Sequence, residues 1–316
     1  MKLGQKILEF TILSRFEDNH HTSTFFTILQ KTMSIFLITG ASSGIGAELA
    51  KIAAQAGHSV AICARRLDKL QAVQQEIISA GGNCLAMQVD VSIPEQAQAC
   101  VEQTINHFGG IDILINNAGR GNLASVEDTT PEQLQSIFGV NVFSLWYMSA
   151  PALKHMKSKG SGHIINVASV AGTMGFPFNS AYVSAKHAVM GFTASLRAEI
   201  AGSNIHATAV CPDGVITEWG AVTEGGPIGN LFMAGIRESR SIAKEHGIGL
   251  APLVPMLSAK DAAQIIYDAA INPPPHDVYT HAGTHERAIG FTQNRSEAEK
   301  SMLALYMGMQ KAYGQK

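Results

Sequence analysis

No run of eighteen apolar residues occurs anywhere in this chain of 316, so no segment reads as a membrane-spanning helix. Charge of either sign is scarce. The 23 Lys and Arg against 25 Asp and Glu leave a net charge of -2, and no run of five like charges appears. So weak a field draws in neither nucleic acid nor an anionic lipid surface, which leaves small molecules and other protein subunits as the expected partners. Cysteine is scarce too. The four (Cys63, Cys84, Cys100, Cys211) show no C-x-x-C spacing, and Cys63 and Cys211 fall in apolar, strand-like runs where cysteine acts as a small hydrophobe. A disulfide framework or thiolate zinc site is therefore not expected, and the usage suits a reducing, cytoplasmic setting. Histidine is dispersed, and the reading includes no metal.

What is present is a rhythm. Apolar runs of strand length alternate with helical patterns from about residue 34 to about 280, which implies one large α/β domain with a parallel sheet. Strands are expected at 34–39, 58–63, 83–89, 111–115, 162–168, 204–211 and 277–280. Helices are expected at 45–56, 67–80, 94–108, 131–157, 181–201 and 259–271. Pro151 should kink or divide the long helix of 131–157. Crossovers of this length give a Rossmann-type, doubly wound, seven-stranded and mostly parallel sheet with helices on both faces.

Three segments stand apart from that rhythm. Residues 1–32 are neither a secretory signal nor a transit peptide, and Met33 directly precedes the first strand. They read as a loose extension, or as sequence upstream of the true start. Residues 213–258 are glycine-rich without clear periodicity, and a loop that long is expected to serve as a substrate lid. In 286–316, Met302, Leu305, Tyr306, Met309 and Tyr313 fall on one helical face. That tail is expected to pack on its own domain, with a subunit contact or a share of the pocket as alternatives.

The chemistry begins at Thr39-Gly40-Ala41-Ser42-Ser43-Gly44-Ile45-Gly46, between a strand and an amphipathic helix. Gly40 can turn sharply, Gly44 admits a pyrophosphate, Gly46 allows close packing, and the helix N-terminus offers free N–H groups to an anion. Downstream come Asp90-Val91, Asn116-Asn117-Ala118-Gly119, Asn141, Ser169 and Tyr182-Val-Ser-Ala-Lys186. In this order the motifs resemble those of the short-chain dehydrogenase/reductase family, across roughly residues 33–280. The resemblance implies a catalytic group of Asn141, Ser169, Tyr182 and Lys186. It implies a cofactor site of Gly40, Ser42, Ser43, Gly44, Ile45, Gly46, Asp90, Val91, Asn117, Ala118 and Gly119, with Tyr182 and Lys186 near the nicotinamide. Pro212, Val215 and Thr217 belong to that site as well. Homodimers or homotetramers are implied too.

Tyr182 and Lys186 stand four apart on one helical face, where an ammonium, with the positive charge of an oxidised nicotinamide, can stabilise a phenolate. The resemblance gives Tyr182 the role of general acid and base, Ser169 a hydrogen bond to the substrate oxygen, and Asn141 a water held against Lys186. At the end of the second strand Ala64 stands where an acid would bind ribose hydroxyls, and Arg65 and Arg66 follow. Arginine suits a 2′-phosphate, so NADP(H) is preferred over NAD(H). Asp213 replaces the first glycine of the family's Pro-Gly-x-Val-x-Thr and leaves the path of that loop open. Arg120, His187 and Trp219 are read as packing or surface residues in preference to substrate contacts. Ile228, Leu231, Phe232 and Met233 suggest a lipophilic substrate. The expected activity is interconversion of a carbonyl and an alcohol. The alternatives are a non-catalytic NADPH-binding sensor of the same fold and an NAD-dependent alcohol dehydrogenase.

Overall fold

Strand β1 (Ile35–Thr39) lies in the middle of a seven-stranded sheet, where its unbroken apolar sequence is covered on both faces. The computed structural model describes residues 33–315, so the reading of residues 1–32 lies outside the described residues. After β1 come α1 (Gly44–Gln55), β2 (Ser59–Ala64), α2 (Leu67–Ser79), β3 (Asn83–Gln88), α3 (Pro94–Phe108) and β4 (Ile113–Asn116). Then follow α4 (Pro131–Phe138), α5 (Ser144–Lys159), β5 (Gly162–Val167), α6 (Ser180–Glu199) and β6 (Ile205–Cys211). The remainder comprises β7 (Val215–Ile216), α7 (Ile228–His246), β8 (Leu257–Ser258), α8 (Ala259–Ile271), β9 (Val278–Tyr279), α9 (Thr284–Gln293) and α10 (Arg295–Tyr313).

The sheet order is β3-β2-β1-β4-β5-β6-β9, and every pairing in it is parallel. Phe36, Ile38, Ile62 and Ile115 face one way, against Leu49 and Ala53 of α1, Leu70 of α2 and Ile266 of α8. Leu37, Ala61, Leu114 and Ile164 face the other, against Val101 of α3, Met148 of α5 and Leu196 of α6. Each of these side chains is at least nine-tenths buried, and burial of one such residue contributes roughly 1.5–3 kcal/mol. The chain winds outward from β1 to β3 and then returns to β4 on the other side of β1. That reversal opens a crevice at the carboxyl ends of β1 and β4.

Two expectations need correction. The long helix of 131–157 does break, but not at Pro151, which lies inside α5. The break is a π-helical turn at Gly139–Phe143. Its cause is Asn141, whose side-chain amide donates to the carbonyls of Ile137 and Arg120, both at 2.9 Å. An amide inserted into the i→i−4 ladder widens the turn.

The second correction concerns residues 213–258, which contain the 19-residue helix α7. Its buried positions are Leu231, Gly235, Ser239 and Ile242. Gly and Ser at two of these four places hide the apolar stripe from a hydropathy reading. They are small because α10 crosses there at backbone distance. A Cβ on Gly235 would stand 3.0 Å from the Met309 nitrogen, and one on Gly308 would stand 2.4 Å from the Gly235 carbonyl oxygen. The tail therefore packs on its own domain, with Met302, Leu305 and Met309 buried beside Leu231 and Phe291.

Candidate active site

The glycine turn is closed from below by the end of β4. The Thr39 hydroxyl donates to the Ile115 carbonyl at 3.3 Å and accepts from the Asn117 and Ala118 amides, each at 2.9 Å. The Asn117 side chain donates to the Thr39 carbonyl at 2.9 Å. A Cβ at Gly40 (φ +67°) would lie 2.7 Å from the Ala118 Cα, and one at Gly46 would lie 2.5 Å from the Asn117 side-chain nitrogen. These two glycines are thus demanded by packing between β1, α1 and β4. Gly44 (φ +59°) is demanded by its left-handed backbone, and a Cβ there would also lie 3.3 Å from the Thr217 side chain. Ser43, which precedes α1, makes no side-chain cap. The first-turn N–H groups of α1 are therefore left for another acceptor.

Above the turn lies a cavity of about 650 Å³, a size typical of ligand sites. Every residue expected to hold cofactor lines it except Gly46, which packs underneath. The permissive turn, the bare helix N-terminus and this volume fit a dinucleotide. At one end Arg66 donates to the hydroxyls of Ser42 (3.1 Å) and Ser43 (2.7 Å), while Arg65 stands 3.9 Å from Asp90. Glu218 pairs with Arg66 at 3.5 Å and with Lys69 at 2.6 Å, all at the surface.

At the other end Ser169, Tyr182 and Lys186 meet. Ser169 leaves β5 and is held by the Ala171 amide, which donates to its hydroxyl at 3.1 Å. Lys186 is buried, donates to the Val167 carbonyl at 2.8 Å and lies 5.6 Å from the centre of the Tyr182 ring. Burial dominates both titrations. It pushes the Tyr182 phenol up to about 12, against the opposing pull of a hydrogen bond with Ser169. It brings the Lys186 ammonium down to about 8, with the Cys211 thiol opposing. Asn141 does not line the cavity. Its unpartnered side-chain oxygen lies beneath Gly119, 2.9 Å from where a Cβ there would be, and Lys186 Nζ is 3.7 Å from that point.

Asp213 takes no left-handed backbone, since the only non-glycine residue with positive φ among the described residues is Phe178. Its carboxylate instead pairs with Arg287 of α9, and both side chains are largely buried. That clip, with the β7–β8 pairing, fixes the loop that carries Val215 and Thr217. Trp219 lines the cavity, contrary to the packing reading, with its ring centre 5.1 Å from that of Tyr182. Its indole lies on Gly121, where a Cβ would come within 2.5 Å of the ring. Arg120 also lines the cavity but is tied to Ser136 and Glu224, and His187 is exposed outside it. Of the four apolar residues after Pro227, Ile228 and Phe232 face the cavity, Leu231 packs against α10 and Met233 is exposed. The sequence reading missed Phe176, Asn179 and Met256, while Met309 belongs to the tail for which a share of the pocket was the alternative expectation. No local motif marks them.

The family model described as short chain dehydrogenase matches residues 34–224. A D-beta-hydroxybutyrate dehydrogenase from Rhizobium meliloti is 34% identical over 242 residues, covering 72% of this chain and 93% of that protein. A crystal structure of a short-chain type dehydrogenase/reductase from Mycobacterium marinum superposes with a TM-score of 0.67 at 29% identity, over 78% of this chain and 93% of the other. A 3-ketoacyl-(acyl-carrier-protein) reductase from Brucella melitensis, complexed with NADH, gives a TM-score of 0.66 at 27% identity, over 79% and 98%.

Proposed function

This chain belongs to the short-chain dehydrogenase family of oxidoreductases, and we propose that it interconverts a ketone or aldehyde and an alcohol with NADP(H). The observation that carries the reading is the meeting of Ser169, Tyr182 and Lys186 in the cavity that the glycine turn and Arg66 also line. A bound nicotinamide would supply or accept the hydride. The chain handles the proton. Tyr182, whose phenol is pushed up to about 12 by burial, donates its phenolic proton to the oxygen that becomes an alkoxide as a carbonyl is reduced, and it recovers a proton afterwards. The Ser169 hydroxyl hydrogen-bonds the same oxygen and holds it against the phenol. Lys186 stabilises the transient phenolate; with its pKa near 8 it carries its charge through most of the neutral range.

Preference for the phosphorylated cofactor rests on Ala64, Arg65 and Arg66. There is no acid at the end of β2 to receive ribose hydroxyls, while two guanidinium groups line that end of the cavity. Glu218 already sits on Arg66 and Lys69, but exposed pairs of this kind contribute about 0–1 kcal/mol, so a phosphate can replace it.

The test is turnover of purified protein on a panel of ketones, quinones, steroids, 3-oxoacyl thioesters and alcohols. The expected kcat/KM with NADPH exceeds that with NADH, and Tyr182→Phe should lower kcat about 10²–10⁴-fold while leaving cofactor binding intact. Equal kcat/KM for the two cofactors refutes the preference. Cofactor binding without turnover of any compound favours a sensor.

A further inference from the structure

We infer that the substrate is an uncharged carbonyl compound with an apolar body, and that the cavity wall discriminates against carboxylates. The inference rests on the carbonyl–alcohol reading above and names the substrate class that this site takes. Phe176, Trp219, Ile228, Phe232, Met256 and Met309 give the cavity a wall of large apolar side chains, with Trp219 beside Tyr182. None of these carries charge, and four of the six lie beyond residue 224, past the end of the family match. The wall is fixed in place. Met309 is buried on α10, which is locked to α7 at Gly235 and Gly308, and the Tyr306 hydroxyl donates to the Gly175 carbonyl at 2.8 Å beside Phe176. Tyr313 stacks on Phe178 with ring centres 3.8 Å apart.

The charged side chains that line the cavity are all committed elsewhere. Arg65, Arg66 and Asp90 sit at the far end, beside the glycine turn. Lys186 points at the Val167 carbonyl and at Tyr182. Asp213 is neutralised by Arg287. Arg120 is the one cation near the wall; its charge is neutralised by Glu224, its other terminal nitrogen donates to Ser136, and its Nε is buried without a partner. A carboxylate brought against this wall would lose its water and find no unpaired cation in exchange, which disfavours it strongly. A neutral ester or alkyl group of the same size loses nothing comparable and gains apolar contact.

The experiment compares kcat/KM of the full-length protein with NADPH for 3-oxobutanoate, 5-oxohexanoate and 4-acetylbenzoate, each beside its methyl ester, at one pH near 7.5. The ester of each pair that is turned over should be favoured at least 100-fold, which is about 2.7 kcal/mol at 1.36 per tenfold. Phe232→Arg, which places a cation on the wall, should cut that ratio at least tenfold. Parity of acid and ester in the wild type overturns the inference and leaves the carbonyl–alcohol reading standing. Failure of all six compounds and of the wider panel, with NADPH still bound by fluorescence titration, overturns both.

Discussion

Adding one methyl group to Gly308 sets two opposing effects against each other, and the structure decides which wins. In a helix interior alanine is favoured over glycine by about 1 kcal/mol, so propensity alone predicts a more stable protein. At Gly308, however, the new Cβ would meet the Gly235 carbonyl oxygen at 2.4 Å and the Ser239 nitrogen at 3.1 Å. Both are backbone atoms of α7, so no side chain can swing aside. Restoring an ordinary contact separates the two helices by about 1 Å, and overpacking of this kind costs about 1–3 kcal/mol. The net loss is about 0–2 kcal/mol, a fall of up to roughly 4 °C in Tm for a domain of this size. Gly290, inside α9, is the control, because a Cβ there meets nothing within 4 Å. Gly290→Ala should raise Tm by about 2 °C. The assay is thermal unfolding of both variants beside the wild type, with limited proteolysis to detect release of α10. Released α10 would also take Met309 out of the cavity wall and raise KM for apolar ketones. If Gly308→Ala raises Tm as Gly290→Ala does, the backbone-distance crossing of α7 and α10 is wrong.

Two further perturbations test the site. The Lys186 pKa is lowered in the folded protein to about 8 from an ordinary 10.5, so between those values the unfolded chain binds more protons and this group makes stability rise with pH. Lys186→Met should therefore be most favourable, relative to wild type, below pH 8, and should lose that advantage progressively towards pH 10; a Tm difference that stays flat across that window contradicts the burial argument. Arg287→Met strands the Asp213 carboxylate in a largely buried position and should cost about 2 kcal/mol, less than the roughly 3–5 of a fully buried pair. Because the pair holds the loop of Val215 and Thr217, KM for the cofactor should rise several-fold with kcat within about twofold, and Asp213→Gly added to Arg287→Met should restore it. An unchanged KM removes Asp213 from any positioning role.

Legibility differed sharply between parts of this chain. Helices α3 and α8 ended where Pro94, Phe108, Ala259 and Ile271 indicated, because caps and apolar periodicity are local properties. The glycine turn and the Tyr182–Lys186 pair were readable for the same reason, since each works through a few residues at fixed spacing. Helix α7 was not readable. Its buried face is built on Gly235 and Ser239, small only because α10 passes at backbone distance some 70 residues later. The π-helical turn at Asn141 was equally opaque, as it depends on a carbonyl at Arg120.

The amino-acid order alone therefore determined the strand-and-helix rhythm, the place of the glycine turn and the spacing of Tyr182 and Lys186, all of which rest on short-range backbone chemistry. Which other side chains wall the cavity was decided only by the folded chain. Phe176, Trp219, Met256 and Met309 come from four segments with no common spacing. They become neighbours only when long-range packing of α10 on α7 closes the far side of the cavity.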